Sequence, residues 1–406
     1  FDATDEQLGS TYDSEQSSFS VWAPTATKVV LMLKDGNFPM KRKSNGVWKT
    51  TVKGNWNGAS YHFDVTVNGE ERSVNDPYAK SMTANSERSV VLDPQAMESS
   101  LFRNIDYPKV NKKNASIYEL HIRDATISKD SGVYHKGKFL GLTELNTVNS
   151  LGYSTGLSYI KELGCTHVQL LPIQDFARVD EINPEKDYNW GYDPLYYFVP
   201  EGSYATTVDN PFSRVKECKQ MIQTFHEQQL SVILDVVFNH VYKQEESCFE
   251  RLVPGYYFRY HNDGSLSNGT GTGNDLATER IMVQKFILDC VDYWLNQYQV
   301  DGFRFDLMGA IDLETMQLIR NRCNEEDRPI LLLGEGWDLD TELVDEQKTT
   351  LAQANQLVDV SFFNDRFRDS LKGNLFTTDA KGFINGNGHF LERLPQIVAG
   401  SCDERF

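Results

Sequence analysis

The sequence predicts a small β-sandwich followed by an incomplete (β/α)8 TIM barrel with about six of its eight strands. Three observations carry this reading. Residues 17–92 hold short apolar runs of period two, separated by turn residues, which suits a sandwich. From residue 116 onward, strand-like runs alternate with helix-like ones, as in parallel β/α units. Two of the later runs end in acids: DGFRFD at 301–306 and LLLGE at 331–335. A (β/α)8 barrel builds its active site at the C-terminal ends of its strands.

Residues 1–16 read as an N-terminal lead-in, 17–95 as the sandwich, 96–115 as a polar linker and 116–406 as barrel. In the sandwich, Val29, Leu31 and Leu33 alternate with Val30, Met32 and Lys34, and 47–52 is a second strand. Tyr61, Phe63, Val65 and Val67 alternate with His62, Asp64 and Thr66 before Asn68-Gly69, a pair suited to a hairpin whose two central residues take positive φ. The predicted barrel strands are 116–123, 166–172, 231–238, 300–306, 330–336 and 357–363. The predicted helices are 156–163, 211–228, 278–298 and 312–325. An aromatic insertion at 174–210 and a Gly/Asn-rich loop at 261–275 are long enough to suggest function. Six strands leave an open barrel with exposed sheet edges. The expectation is therefore an N-terminal portion of a larger enzyme, or one product of a cleavage.

Composition excludes some classes of partner. The chain of 406 residues is 40% hydrophobic and carries a net charge of −18. A large core is expected, and the charge argues against nucleic acid and anionic membranes. A neutral polymer is indifferent to it. No run of eighteen apolar residues occurs, and the start FDATDEQLGS shows no signal peptide. Cys165, Cys218, Cys248, Cys290, Cys323 and Cys402 include no CxxC and no zinc spacing, so they read as free thiols. These features favour a cytoplasmic location, while a trimmed N-terminus would also fit a secreted or cell-surface protein.

The chemistry is expected around the two acids. Side chains alternate along a strand, so Arg304 and Asp306 face one way and Phe303 and Phe305 the other. A guanidinium beside a carboxylate keeps it ionised, which suits a nucleophile. Glu335 follows an apolar strand, where partial desolvation would favour the protonated form needed by a general acid. Its flanking Gly334 and Gly336 would let a bulky substrate approach the backbone, and Trp337 offers a flat face to a sugar. In SVILDVVFNH, Asp235 and Asn239 face inward and His240 lies just past the strand. Asp235 is read as orienting Arg304 or a sugar hydroxyl, and His240 as touching substrate. In YNWGYDP at 188–194, Tyr188, Trp190 and Tyr192 cluster around a glycine and suit sugar stacking. The glycine-rich run at 267–275 lacks a P-loop lysine. Acids and carbonyls there could hold Ca²⁺, without EF-hand spacing. No other metal site is expected. Paired carboxylates at consecutive strand ends suit a retaining glycosidase, which needs them roughly 5–5.5 Å apart and needs no redox or nucleotide cofactor.

Together these motifs resemble the α-amylase family of glycoside hydrolases and, within it, type I pullulanases. DVVFNH resembles the family's first motif, DGFRFDLMG the second and GEGW the third, and YNWGYDP resembles the pullulanase signature. FSVWAPTATKVVLML at 19–33 resembles the carbohydrate-binding sandwich that precedes the barrel in debranching enzymes. The resemblance implies Asp306 as nucleophile, Glu335 as acid/base and Arg304 as the residue positioning Asp306. It implies Asp235, His240 and Tyr192 around the cleaved sugar, with Trp337, Asn189 and Trp190 at neighbouring subsites; the inward-facing Asn239 is counted with the substrate-binding residues from its strand position. The implied partner is an α-glucan with α-1,6 branches. The family's fourth motif carries a His-Asp pair with a third catalytic acid. Downstream of Glu335 the one histidine, His389, is followed by Phe390. The chain is therefore expected to be inactive without a further C-terminal part, supplied covalently or as a bound fragment. Two other readings are an isoamylase or branching enzyme, and a glucan-binding scaffold without catalysis.

Overall fold

The computed structural model describes residues 1–98, 107–377 and 379–400. Its N-terminal part is a two-sheet sandwich. One sheet runs in the order β1 (Gly9–Tyr12), β2 (Gln16–Trp22), β6 (Val47–Lys53), β5 (Lys41–Arg42). The other runs β4 (Gly36–Pro39), β3 (Lys28–Leu33), β7 (Ser60–Val67), β10 (Ser89–Val90), β9 (Ser81–Met82), with β8 (Glu70–Val74) also on β7. Period-two alternation explains β7. Tyr61, Phe63, Val65 and Val67 are buried, and the residues between them are half-buried. Asn68 and Gly69 both take positive φ, 52° and 81°, and turn β7 antiparallel onto β8. One correction falls in the stretch read as a lead-in: Gly9–Tyr12 is a strand, pairing with Ser17–Ser20. Its sequence GSTY has little apolar content to reveal it, and the pairing is made by backbone groups. Within the expected linker, residues 99–106 lie outside the described residues.

The second part is a six-stranded parallel sheet, ordered β11 (Ile117–Leu120), β12 (His167–Leu170), β15 (Ser231–Val236), β16 (Gly302–Phe305), β17 (Leu331–Gly334) and β18 (Val360–Phe362). All six predicted strands are present, each shorter than its apolar run. Helices α1 (Gly156–Glu162), α2 (Pro211–Glu227), α4 (Ile281–Gln297) and α5 (Leu313–Asn324) cross between them, and α3 (Cys248–Leu252) lies in the loop after β15. Helix starts follow capping chemistry. The Asn210 side chain accepts from Phe212 N–H with Pro211 in the first turn, and Asp312 accepts from Thr315 N–H. Trp294, Phe286, Phe225 and Met221 fill the helix–sheet core. The sheet is an incomplete TIM barrel. At its first edge Ile117 and Tyr118 remain more than a third exposed.

The aromatic insertion is more ordered than the sequence suggested. β13 (Gln174–Phe176) and β14 (Pro194–Pro200) form an antiparallel ribbon. The apolar run LYYFV at 195–199 was the available signal. The ribbon also helps seat the sandwich on the barrel. Tyr78 packs on Phe198 and Phe286 at ring separations of 5.0 and 5.3 Å, and its hydroxyl donates to Asp289. Trp22 packs edge-on against Tyr256. The five described cysteines are free.

Candidate active site

Parallel register places Asp235 on β15 directly beside Arg304 on β16. The buried Arg304 guanidinium then gathers three acids. Nη1 lies 3.0 Å from Asp235 Oδ1 and 2.8 Å from Asp306 Oδ1, and Nη2 lies 2.9 Å from Glu335 Oε1. Asp306 follows the end of β16 and Glu335 the end of β17, so both expected catalytic carboxylates sit on one guanidinium at the C-terminal edge of the sheet. Burial is the larger influence on Arg304 and would lower it. The surrounding carboxylates outweigh that influence and hold it firmly protonated, above its ordinary range. Burial pushes the Asp235 carboxyl up to about 8, against the opposing pull of Arg304.

The other inward-facing residues extend this network. Tyr192 OH donates to Asp235 Oδ2 at 2.6 Å, so the hydroxyl that Asp235 holds here belongs to the protein. Asn239 Nδ2 donates to both the carbonyl and Oδ2 of Asp306, each at 2.9 Å. His240 links Asn239 Oδ1 at 2.6 Å to the Tyr192 carbonyl at 2.9 Å. Both contacts call for a ring N–H, while burial, the larger influence, pulls His240 below its ordinary pKa. The strand-end histidine therefore ties the aromatic loop to the strand carrying Asp235.

Besides Arg304, the Glu335 carboxyl accepts the Leu307 N–H at 2.9 Å. Leu307 reaches that position through a left-handed turn, φ 43°. The flanking glycines make room for protein rather than substrate. A Cβ at Gly334 would lie 2.6 Å from Met308 Sδ, and one at Gly336 would lie 2.3 Å from the Phe362 ring. Trp337 is half-buried, with the Arg368 guanidinium 6.0 Å from its ring centre.

Trp190 is well exposed. The Asn189 side chain is engaged inside the loop. Nδ2 donates to the Ala177 carbonyl and to Asp193, and Oδ1 accepts from Gly191 N–H. Sequence reasoning missed His121 and Asp124, which follow β11. His121 Nε2 meets the Asn189 carbonyl at 2.9 Å, and Asp124 accepts from Tyr188 OH. The signal was HIRD at 121–124, a histidine at a strand end like His240. It also missed Phe363, whose ring centre is 5.6 Å from Arg304.

The glycine-rich loop at 267–275 is organised by its own acid. Asp275 is buried and accepts from Ser267 Oγ, Gly269 N–H, and both the N–H and Oγ1 of Thr270. Among the described residues, the buried acids Asp175, Glu181 and Glu201 come together with ligand atoms within 4.8 Å. Arg214 supplies the positive charge there, at 2.8 Å from Glu181 and 3.5 Å from Asp175.

The carbohydrate-binding module 48 family (isoamylase N-terminal domain) matches residues 7–79, and the α-amylase catalytic domain matches residues 147–262. A pullulanase of Bacillus subtilis is 49% identical over 98% of this chain and 56% of that protein. The chain is homologous to pullulanases, with a carbohydrate-binding module followed by part of an α-amylase catalytic domain. The chloroplastic pullulanase 1 of Arabidopsis thaliana is 31% identical over 94% of the chain and 46% of its own length. Among solved structures, a pullulanase from Anoxybacillus sp. LM18-11 complexed with maltotetraose superposes with a TM-score of 0.94 at 49% identity, covering 99% of this chain and 59% of that one. The chain spans about half the length of the curated relatives it matches.

Proposed function

We propose that this chain forms part of a debranching glycoside hydrolase that cleaves α-1,6-glucosidic linkages in pullulan and branched α-glucans with retention. The observation that carries the reading is the Arg304 guanidinium, which holds Asp306 and Glu335 together at the edge of the sheet. In the first step, Asp306 attacks the anomeric carbon as the bond to the leaving oxygen breaks, and Glu335 gives that oxygen its proton. In the second, Glu335 takes a proton from water, whose oxygen displaces Asp306. Glu335 is ion-paired with Arg304, a contact that the bound glucan must replace before the first step. Tyr192, Asp235 and His240 border the sugar being cleaved, while Trp190 and Trp337 offer faces to neighbouring units. Homologous pullulanases crystallised with maltotriose and maltotetraose support glucan as the partner.

Among the described residues the six parallel strands do not close into a barrel, and the proposed mechanism requires a further acid to stabilise the distorted sugar. Chain 1–406 alone is therefore expected to be inactive. The test incubates pullulan with this chain and with the chain extended through two further strands. Maltotriose from the extended form alone supports the proposal. In that form, Glu335→Gln should lose about 10²–10⁴-fold in rate, with glucan binding retained. Binding without turnover in both forms would instead favour a non-catalytic glucan-binding protein.

A further inference from the structure

The first turn after β11 reaches the aromatic loop in a way the reaction itself does not require. Trp190 Nε1 donates to Tyr188 OH at 3.0 Å, and Tyr188 OH donates in turn to Asp124 Oδ2 at 2.5 Å. Arg123 completes the arrangement: its Nη1 lies 3.1 Å from Asp124 Oδ1, and its guanidinium lies 5.3 Å from the Tyr188 ring centre. Tyr188 and Trp190 are half or more exposed, at 50% and 58%. Two large aromatic side chains are thus held in one orientation at the surface, with the Tyr188 ring also 5.5 Å from that of His121. The acceptor that ends the chain is a carboxylate on a different β/α unit.

From this geometry we infer that Asp124 is a positioning residue that fixes Tyr188 and Trp190 as one platform for the sugar rings of a glucan chain. The inference rests on the glucan reading above and adds what sets affinity at the aromatic loop. A side chain ordered before binding does not have to be ordered by the ligand, and that difference appears as affinity. The Asp124 acceptor also keeps the Tyr188 phenol well supplied with a partner for its proton, pushing its pKa up, so it remains a donor at working pH. The platform is therefore assembled between two elements, and the first β/α turn tunes glucan affinity without touching the scissile bond.

The test is the affinity for maltotetraose, measured by calorimetric titration of the parent, Asp124→Ala, Asp124→Asn, Tyr188→Phe and the Asp124→Ala/Tyr188→Phe double variant. D124A should bind about threefold to tenfold more weakly, the effect of one lost hydrogen bond. D124N should bind near the parent, because its amide oxygen still accepts from the phenol. Y188F should match D124A, and the double variant should be no weaker than either single one. Melting temperatures separate this from misfolding, since Asp124 is exposed. The inference is overturned if D124A binds as the parent does, if the two losses add, or if D124N fails to restore binding. If the parent itself binds no maltotetraose, the glucan reading falls and the inference falls with it. Parent binding with an indifferent D124A removes the inference alone.

Discussion

Replacing Arg304 by Met removes the shared counterion of Asp235, Asp306 and Glu335 while keeping most of the apolar stem. Breaking a buried ion pair by deleting one partner costs about 3–5 kcal/mol, because the other charge is left uncompensated. Here the lower end applies. Burial already disfavours charge on the Asp235 carboxyl, and the Glu335 side chain is 20% exposed to water. A loss of about 3 kcal/mol in a domain of this size corresponds to a melting temperature lower by roughly 6 °C. The remaining carboxylates can relieve their repulsion only by binding protons, so the variant's native state holds protons that its unfolded state releases. The deficit should therefore grow between about pH 5 and about pH 8. Arg304→Lys keeps the charge but loses the planar fork that reaches acids on both sides, and should fall between parent and R304M. The assay is thermal unfolding of the three proteins at the two pH values. R304M melting with the parent at both, or a deficit that shrinks as pH rises, would refute the shared-counterion argument.

Two further predictions concern the scaffold beneath the site. Burial first, and then repulsion from Glu181, raise the Glu201 carboxyl from the ordinary 4.5 to about 7. The native state thus binds a proton that the unfolded chain releases between those values, and stability from this group falls as pH rises through that window, by up to about 3 kcal/mol. Glu201→Gln removes this dependence, so urea midpoints of the variant relative to the parent should improve from about pH 5 to about pH 8; a constant offset would count against it. Gly309→Ala would bring a Cβ to 1.8 Å from the Trp337 carbonyl oxygen, forcing the 335–338 segment away from Asp306. A stability loss of about 1–3 kcal/mol is expected, read as a lower melting temperature; an unchanged melt would show that the two segments are not so closely apposed.

What the sequence alone determined was what repeats along it. Period-two alternation located β7, and apolar runs ending in acids located β16 and β17. Asn68-Gly69 located a hairpin because its φ requirement is local. The shared facing of Asp235 and Arg304 also followed from alternation, whereas Asn239 and Asp306 lie past their strand ends and are placed by the hydrogen bonds between them. Residues without such a pattern escaped. GSTY at 9–12 is a strand only because β2 offers it backbone partners, and Asn189 carries the same residue type whether it faces a sugar or the Ala177 carbonyl. Register and close packing settled the rest. Parallel pairing sets Asp235 beside Arg304, the turn at Leu307 delivers an N–H to Glu335, and Met308 and Phe362 occupy the space that Gly334 and Gly336 leave. These are contacts between segments tens of residues apart. Their distances depend on how strands and turns stack in three dimensions, which spacing along the chain does not encode.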